Sequence, residues 1–509
     1  MTYYVDCLEG ECWWDGAVAQ RKEMPIAKGG AGYELNGTIN RTDNQYNALF
    51  VSNRGRYIYV ENGCILNFDG NGLITISEAK GEVDISAGHG TLKEAYRAAA
   101  AKHLYCGKAV PEEMVLSPQY STWVEMLRGI DRQKVEAYAE SIVGGGLPAG
   151  VLILDDGWMS DYGDWTFAAE KFPDPKKMTE KLHGMGFKVV LWVCPFVNES
   201  APVYGSLAAE GALVRSRTGE VAVRRWWSGT SAVLDMSSPA AGKWLSGVLD
   251  GLMEKYGIDG FKFDAGDPQY YDSDDKTYGG VSPNGQSKLW AQFASRYEYA
   301  ELRACVGMGG YPIVQRLADK NSSWTGKKGI LSLIPNMLQA GLSGYPYCCP
   351  DMVGGGQEAD FGSGKGHDDE FMARSCQCAA LMPMMQFSYA VWNRSSEPVR
   401  RIVKNCVELR GRYGGYLRGL LRESGRTRDP LMRHMEYEFP GQGMERVNDQ
   451  FMLGDKLLVA PVLYKGTRER EIVLPRGRWK YMPTGEVLDG GRTVRASAPL
   501  DVLPYFEKM

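Results

Sequence analysis

From about residue 113 onward, short apolar runs alternate with amphipathic helices, and this alternation limits the chain to very few folds. "RQKVEAYAESIVGGGLP" has helical periodicity and leads into "GVLILDDGW", a buried strand. "DPKKMTEKLHGMGF" then "KVVLWVCPF", and "SPAAGKWLSGVLDGLMEKYG" then "IDGFKFDAG", repeat the pattern. Further on come "SKLWAQFASRYEYAEL" before "RACVGM", "IPNMLQAGLSG" before "YPYCCPD", and "DDEFMARSCQCAALMPMMQFS". At least six strands alternating with helices predict a parallel sheet, either an open doubly wound sheet or a closed (β/α)8 barrel. Several strands end in polar residues: Asp155-Asp156, Lys262/Asp264 and Asp351. Such ends converge in a barrel mouth, and no G-x-G-x-x-G follows the first strand, so a TIM barrel is expected.

On either side the pattern turns to strands alone. Residues 1–112 carry period-two runs such as "RGRYIYVENG" and "NGLITISEAKGEVDIS", punctuated by Asn-Gly and Asp-Gly, then a short helix. This reads as an N-terminal β-sandwich domain. The barrel is assigned residues 113–428. Residues 429–509, with "DQFMLGDKLLVAPVL", "REREIVLP" and "GRWKYMP", are expected to form a C-terminal β-sandwich domain.

The chemistry concentrates at strand ends. In "GFKFDAGD", Phe261 and Phe263 share one face of a strand while Lys262 and Asp264 share the other. Burial of that polar face requires an ion pair, a metal or a substrate. Asp351 lies between Pro350 and three glycines, so its carboxyl is carried into a loop. Two carboxyls on separate barrel strands suit glycoside hydrolysis, one as nucleophile and one as acid/base. Lys262 favours ionised Asp264, and partial desolvation near Tyr345, Tyr347 and Pro350 would raise the pKa of Asp351. Asp155 and Asp156 can accept hydrogen bonds from sugar hydroxyls. Trp192, Trp226 and Trp227 are candidate walls for a sugar ring. Arg316 is expected either to bond a hydroxyl or to hold a carboxylate, and His367 to sit in a solvated loop.

Composition narrows the partners. With 58 Lys+Arg against 62 Asp+Glu, no basic excess points to nucleic acid. No segment approaches eighteen consecutive apolar residues, so no membrane span is expected. The N-terminal stretch has no signal-peptide pattern. The 11 cysteines are scattered without zinc spacing, Cys348-Cys349 and Cys376/Cys378 included, and read as reduced thiols of a cytoplasmic protein. The N-x-S/T triplets at Asn36, Asn321 and Asn393 read as chance.

Taken together, these residues resemble glycoside hydrolase family 31. "CWWDGA" is similar to the family's W-Y-G-G-A stretch, "GIDGFKFDAGD" to its nucleophile strand, and "CPDMVGGG" to its D-I-G-G-type acid/base loop. "VQRLADKNSSWTG" resembles its R-x-x-x-x-W-x-G-D-type segment, and "DPLMRHMEYEFP" with "VNDQFMLGDKLLVAPVL" the stretch entering its C-terminal sandwich. The resemblance implies retaining cleavage of an α-glycosidic bond without a cofactor, with Asp264 as nucleophile, Asp351 as acid/base and Arg316 on the sugar. "LDDGW", "FKFDAGD" and "PDMVGGG" look more like the subgroup containing α-galactosidases and the myogenesis-regulating glycosidase, which implies a terminal α-galactoside read by Asp155 or Asp156. "QFSYAVWN" stands where many members place an Arg-x-His sugar contact. An α-glucosidase or other α-glycosidase, a metal-dependent barrel lyase or isomerase, and a non-catalytic carbohydrate-binding protein remain as alternatives. Homo-oligomer formation is left open.

Overall fold

The computed structural model describes residues 1–19, 24–361 and 368–509, and His367 lies outside them. Eight parallel strands form its centre: β1 (Gln119–Ser121), β2 (Val151–Leu154), β3 (Lys188–Val193), β4 (Gly260–Phe263), β5 (Tyr299–Leu302), β6 (Val314–Arg316), β7 (Cys348–Cys349) and β8 (Gln386–Phe387). They neighbour one another in chain order, and β8 pairs with β1. A parallel bridge from Met352, just after β7, to Gln386 joins the remaining edge and closes the barrel.

The longer helices between strands are α1 (Arg132–Gly144), α2 (Pro175–Gly184), α3 (Pro239–Tyr256), α4 (Pro283–Ala294), α5 (Leu333–Leu342) and α6 (Asp369–Ala380). Helix α3 shows how local sequence sets their bounds. Pro239 opens its first turn, where its fixed φ is compatible and its missing N–H costs nothing. Gly257 ends it at φ 73°, a left-handed conformation cheap only for glycine. Leu245, Leu249 and Leu252 form its buried stripe.

On β4 the expected alternation holds. Phe263 packs edge-on against Trp290 of α4, with ring centroids 5.2 Å apart, while Lys262 points inward. Burial of each such aromatic contributes about 1.5–3 kcal/mol, which fixes the register and therefore the inward face.

One expected strand is displaced. The residues Tyr299–Leu302, expected as the end of a helix, form β5. The helix stops at Ala294, and the Tyr-Ala-Glu-Leu run is long enough to fill the gap beside β4. The short run Cys305–Val306, expected as the barrel strand, instead pairs in parallel with Gln45–Tyr46 of the N-terminal region.

That region consists of a four-stranded and a five-stranded antiparallel sheet. They bury their own core, including Trp13, Trp14 and Phe50. After the barrel comes a six-stranded antiparallel sheet running from Met432 to Lys508, with a two-stranded ribbon, Glu469–Leu474 and Arg492–Ser497. Arg374 of α6 is fully buried and ties this last region to the barrel. Its guanidinium donates to the carbonyls of Thr467, Ala498, Pro499 and Val502. Among the described residues, no helix is long and apolar enough to cross a membrane.

Candidate active site

A cavity of about 340 Å³ opens at the carboxyl ends of the barrel strands. Its volume lies at the small end of ligand clefts. Asp155, Asp156, Trp192, Trp227, Lys262, Asp264 and Arg316 all line it.

Asp264 follows directly on β4 and is buried. Its Oδ2 accepts from Trp192 Nε1 at 3.1 Å, and its Oδ1 accepts from Arg303 Nε at 3.0 Å. Ala265, at φ 53°, turns its own N–H back onto Oδ1 at 2.8 Å. Burial by itself would raise the Asp264 pKa. Arg303, Lys262 and Arg316 outweigh that and hold it well below the usual carboxylate range. The carboxylate is therefore ionised and oriented at all ordinary pH values.

Lys262 does not touch Asp264 but donates to Asp155 Oδ2 at 2.6 Å. Ser121 adds a bond to the same oxygen at 2.9 Å. Register explains this: Lys262 lies two residues deeper in the barrel than Asp264, level with Asp155 at the end of β2. Asp156 instead accepts from Arg128 Nε and the Tyr162 hydroxyl, each at 2.9 Å. Burial pushes its pKa up to about 6, against the pull of Arg128 and Tyr162.

The structure corrects the expectation for Asp351. It does not line the cavity, and its side chain has 0% exposure. Oδ1 accepts from Arg316 Nη1 and Oδ2 from the Lys320 backbone N–H, both at 2.7 Å. Burial, with the neighbouring Asp319 charge, pushes its pKa up against Arg316. A carboxyl sealed in this way cannot reach a leaving group. The same Arg316 nitrogen also donates at 2.8 Å to Asp319, which does line the cavity and whose side chain is 35% exposed. Arg316 is thus a clamp between two carboxylates, with its Nε 3.3 Å from Glu301. Trp226 is likewise not a wall. It stacks on Phe196 at 4.2 Å, donates to Ser231 and lies beneath the surface. Its neighbour Trp227 is 46% exposed and faces the cavity.

Several site residues escaped sequence reading. Arg303 is buried between Asp264 and Asp267, donating to Asp267 at 2.7 and 2.8 Å. The displaced β5 hid it and Glu301. Asp319 stands three residues after Arg316, and in "SSWTGKK" a lysine occupies the place of the acid in W-x-G-D. Those two facts together were the available signal. The N-terminal region also reaches the mouth. Asp43 lines the cavity, and Gln45 Nε2 donates to the backbone carbonyls of Arg303 (2.6 Å) and Arg316 (2.8 Å). No local sequence signal marks that contact, because its partners lie more than 250 residues away.

The sequence model of the Glycosyl hydrolases family 31 TIM-barrel domain matches residues 109–417, and that of the Glycosyl hydrolase family 31 C-terminal domain matches residues 428–509. The myogenesis-regulating glycosidase of Mus musculus is 35% identical over 404 residues, covering 77% of this chain and 56% of that protein. Alpha-glucosidase 2 of Bacillus thermoamyloliquefaciens is 28% identical over 415 residues, covering 74% and 50%. The chain thus spans about half the length of the curated relatives it matches. Among solved structures, the GH31 dextranase of Flavobacterium johnsoniae complexed with glucose superposes over 100% of this chain and 66% of its own, with a TM-score of 0.85 at 20% identity. That likeness concerns the fold.

Proposed function

Since this chain belongs to glycoside hydrolase family 31, we propose that it is a retaining, exo-acting α-glycosidase with Asp264 as nucleophile and Asp319 as acid/base. The observation that carries this reading is the contrast between two carboxyls in one cavity. Both are paired with an arginine, but Asp264 is buried and pinned by Arg303, whereas Asp319, on Arg316, is open to solvent within the same mouth. In the first step Asp264 attacks the anomeric carbon and the C–O bond to the leaving group breaks. Asp319 gives its proton to the departing oxygen. In the second step Asp319 takes a proton from water, which displaces Asp264 with net retention. Arg316 would hold Asp319 in place through both steps.

Asp155 and Asp156 support a terminal α-galactoside as substrate. Both end β2 at the cavity, and each keeps acceptor capacity for sugar hydroxyls beyond its cation. An α-glucoside or α-xyloside is the reading to exclude. Asp155, Asp156 and Asp264 are each already paired with a basic side chain, a donor set ill suited to a divalent metal. Eleven cysteines without a disulfide suit a reducing compartment, so a cytoplasmic location belongs to the same proposal.

Leaving-group dependence tests the assignment. In Asp264→Asn, turnover of every α-glycoside is expected to fall by about 10³-fold or more. In Asp319→Ala, nitrophenyl α-galactoside should be hydrolysed far better than a disaccharide, and azide should restore turnover with formation of a glycosyl azide. An Asp351→Asn variant should lose activity equally for good and poor leaving groups, without azide rescue. If azide rescues Asp351→Asn instead of Asp319→Ala, the acid/base assignment is wrong. If nitrophenyl α-galactoside is inert while the α-glucoside or α-xyloside turns over, the galactoside reading is wrong.

A further inference from the structure

Four of the five basic side chains that line the cavity are neutralised. Arg128 pairs with Asp156, Lys262 with Asp155, Arg303 with Asp264 and Asp267, and Arg316 with Asp319 and Asp351. Lys328 is the fifth. It is exposed, lines the cavity and has no ion-pair partner among the described residues. Its loop folds back on itself, because the Asn321 N–H donates to the Lys328 carbonyl at 2.8 Å. That bond sets Lys328 beside the chain that carries Asp319, the carboxyl read above as acting on the leaving oxygen. Lys328 and Asp319 line the same mouth.

We propose that Lys328 selects α-glycosides whose aglycone carries an anion, a carboxylate or a phosphate monoester, and this rests on the acid/base assignment to Asp319. A lysine free of an internal partner keeps its three donors for a ligand, and a charge-assisted bond in a concave mouth is stronger than one on open surface. Two features define the pocket further. The exposed indole of Trp227 offers a flat apolar surface for the body of an aglycone. Glu358 also lines the mouth, exposed and without an ion-pair partner among the described residues, and it opposes an anion. The adjacent Lys327 is exposed but does not line the cavity, which makes it the natural control.

The test uses the full chain carrying Asp264→Asn, titrated calorimetrically with matched pairs of α-galactosides, α-glucosides and α-xylosides. One member bears 4-carboxyphenyl or 4-phosphonooxyphenyl, the other the neutral 4-carbamoylphenyl. The anionic member should bind about 5–10-fold more tightly, and 0.5 M salt should erase the difference. Adding Lys328→Gln should bring the ratio close to one, Lys327→Gln should leave it intact, and Glu358→Gln should increase it. The carboxylate and phosphate arms show which anion is preferred. Equal binding of both members, or a ratio that survives Lys328→Gln, overturns the proposal while leaving the glycosidase reading in place. Absence of binding by every pair overturns both.

Discussion

At the scale of single residues, the site is a set of carboxylates sorted by what surrounds them. Asp264, Asp156 and Asp351 are all buried, yet three different environments give three states. Arg303 overcomes burial at Asp264, Arg128 and Tyr162 only partly offset it at Asp156, and Asp351 bears the added repulsion of Asp319. Asp156, pushed up to about 6 by burial, titrates in an accessible range. Below about pH 6 its protonated form prevails in the free enzyme, and a neutral carboxyl accepts fewer hydroxyl bonds. We therefore expect kcat/KM to fall on the acid side with a midpoint near that value. In Asp156→Asn, kcat/KM should drop by about 10²-fold and that midpoint should vanish. An acid limb identical in the variant would show that another group carries it.

At the scale of elements, the turn after β4 is held by packing as much as by charge. Gly266 has φ 70°, and a Cβ there would stand 2.3 Å from the Trp290 ring, itself fully buried. Gly266→Ala thus meets both backbone strain and a clash. A loss of about 2–4 kcal/mol by denaturant titration is expected, with kcat falling more than stability because Asp264 and Asp267 flank the strained turn. Near the start of the C-terminal region, the short helix Met435–Glu438 carries Glu436, which is buried and leaves Oε2 without a partner. Burial pushes its pKa up to about 7, helped by Glu445 and opposed by backbone N–H bonds. The folded state then binds its proton more tightly than the unfolded chain. Stability contributed by this group is present in full below the unfolded pKa, near 4.5, and is lost as pH rises through about 7. Glu436→Gln should thus gain on the parent by about 1–3 kcal/mol between pH 4.5 and 8 in thermal melts. A constant difference across that range would refute the shifted titration. Element by element, much was legible: α1, α2 and α3 follow from apolar periodicity and their Pro and Gly signals. Strand β5 was not, because Tyr-Ala-Glu-Leu continues the helical pattern of α4. Only pairing with β4 and β6 decides its state.

At the scale of the whole molecule, the N-terminal region and the barrel meet at the site, and the C-terminal region is tied to the barrel elsewhere. The N-terminal loop supplies Asp43 to the cavity and buttresses both arginine-bearing segments through Gln45. The C-terminal sheet leans on Arg374, whose buried guanidinium has carbonyl partners and Gln377 but no carboxylate among the described residues. Arg374→Ala would leave several buried carbonyls unpaired. A loss of about 3–5 kcal/mol is expected, with faster amide exchange concentrated in residues 467–502. Uniform exchange across the chain would mean that this arginine does not couple the two regions.

The sequence by itself determined the alternation of strand and helix, because apolar periodicity and helix punctuation are local, and the polar strand ends then favoured the barrel over an open sheet. It also marked Asp264, since an inward carboxyl at the end of an otherwise aromatic strand is visible in eleven residues. Which second carboxyl faces the cavity was decided only by tertiary structure. Asp319 and Asp351 share one arginine, and the chain alone does not tell which of them the packing seals and which it leaves open to water. Exposure is a property of everything packed around a group, and those neighbours come from strands and loops distant in sequence.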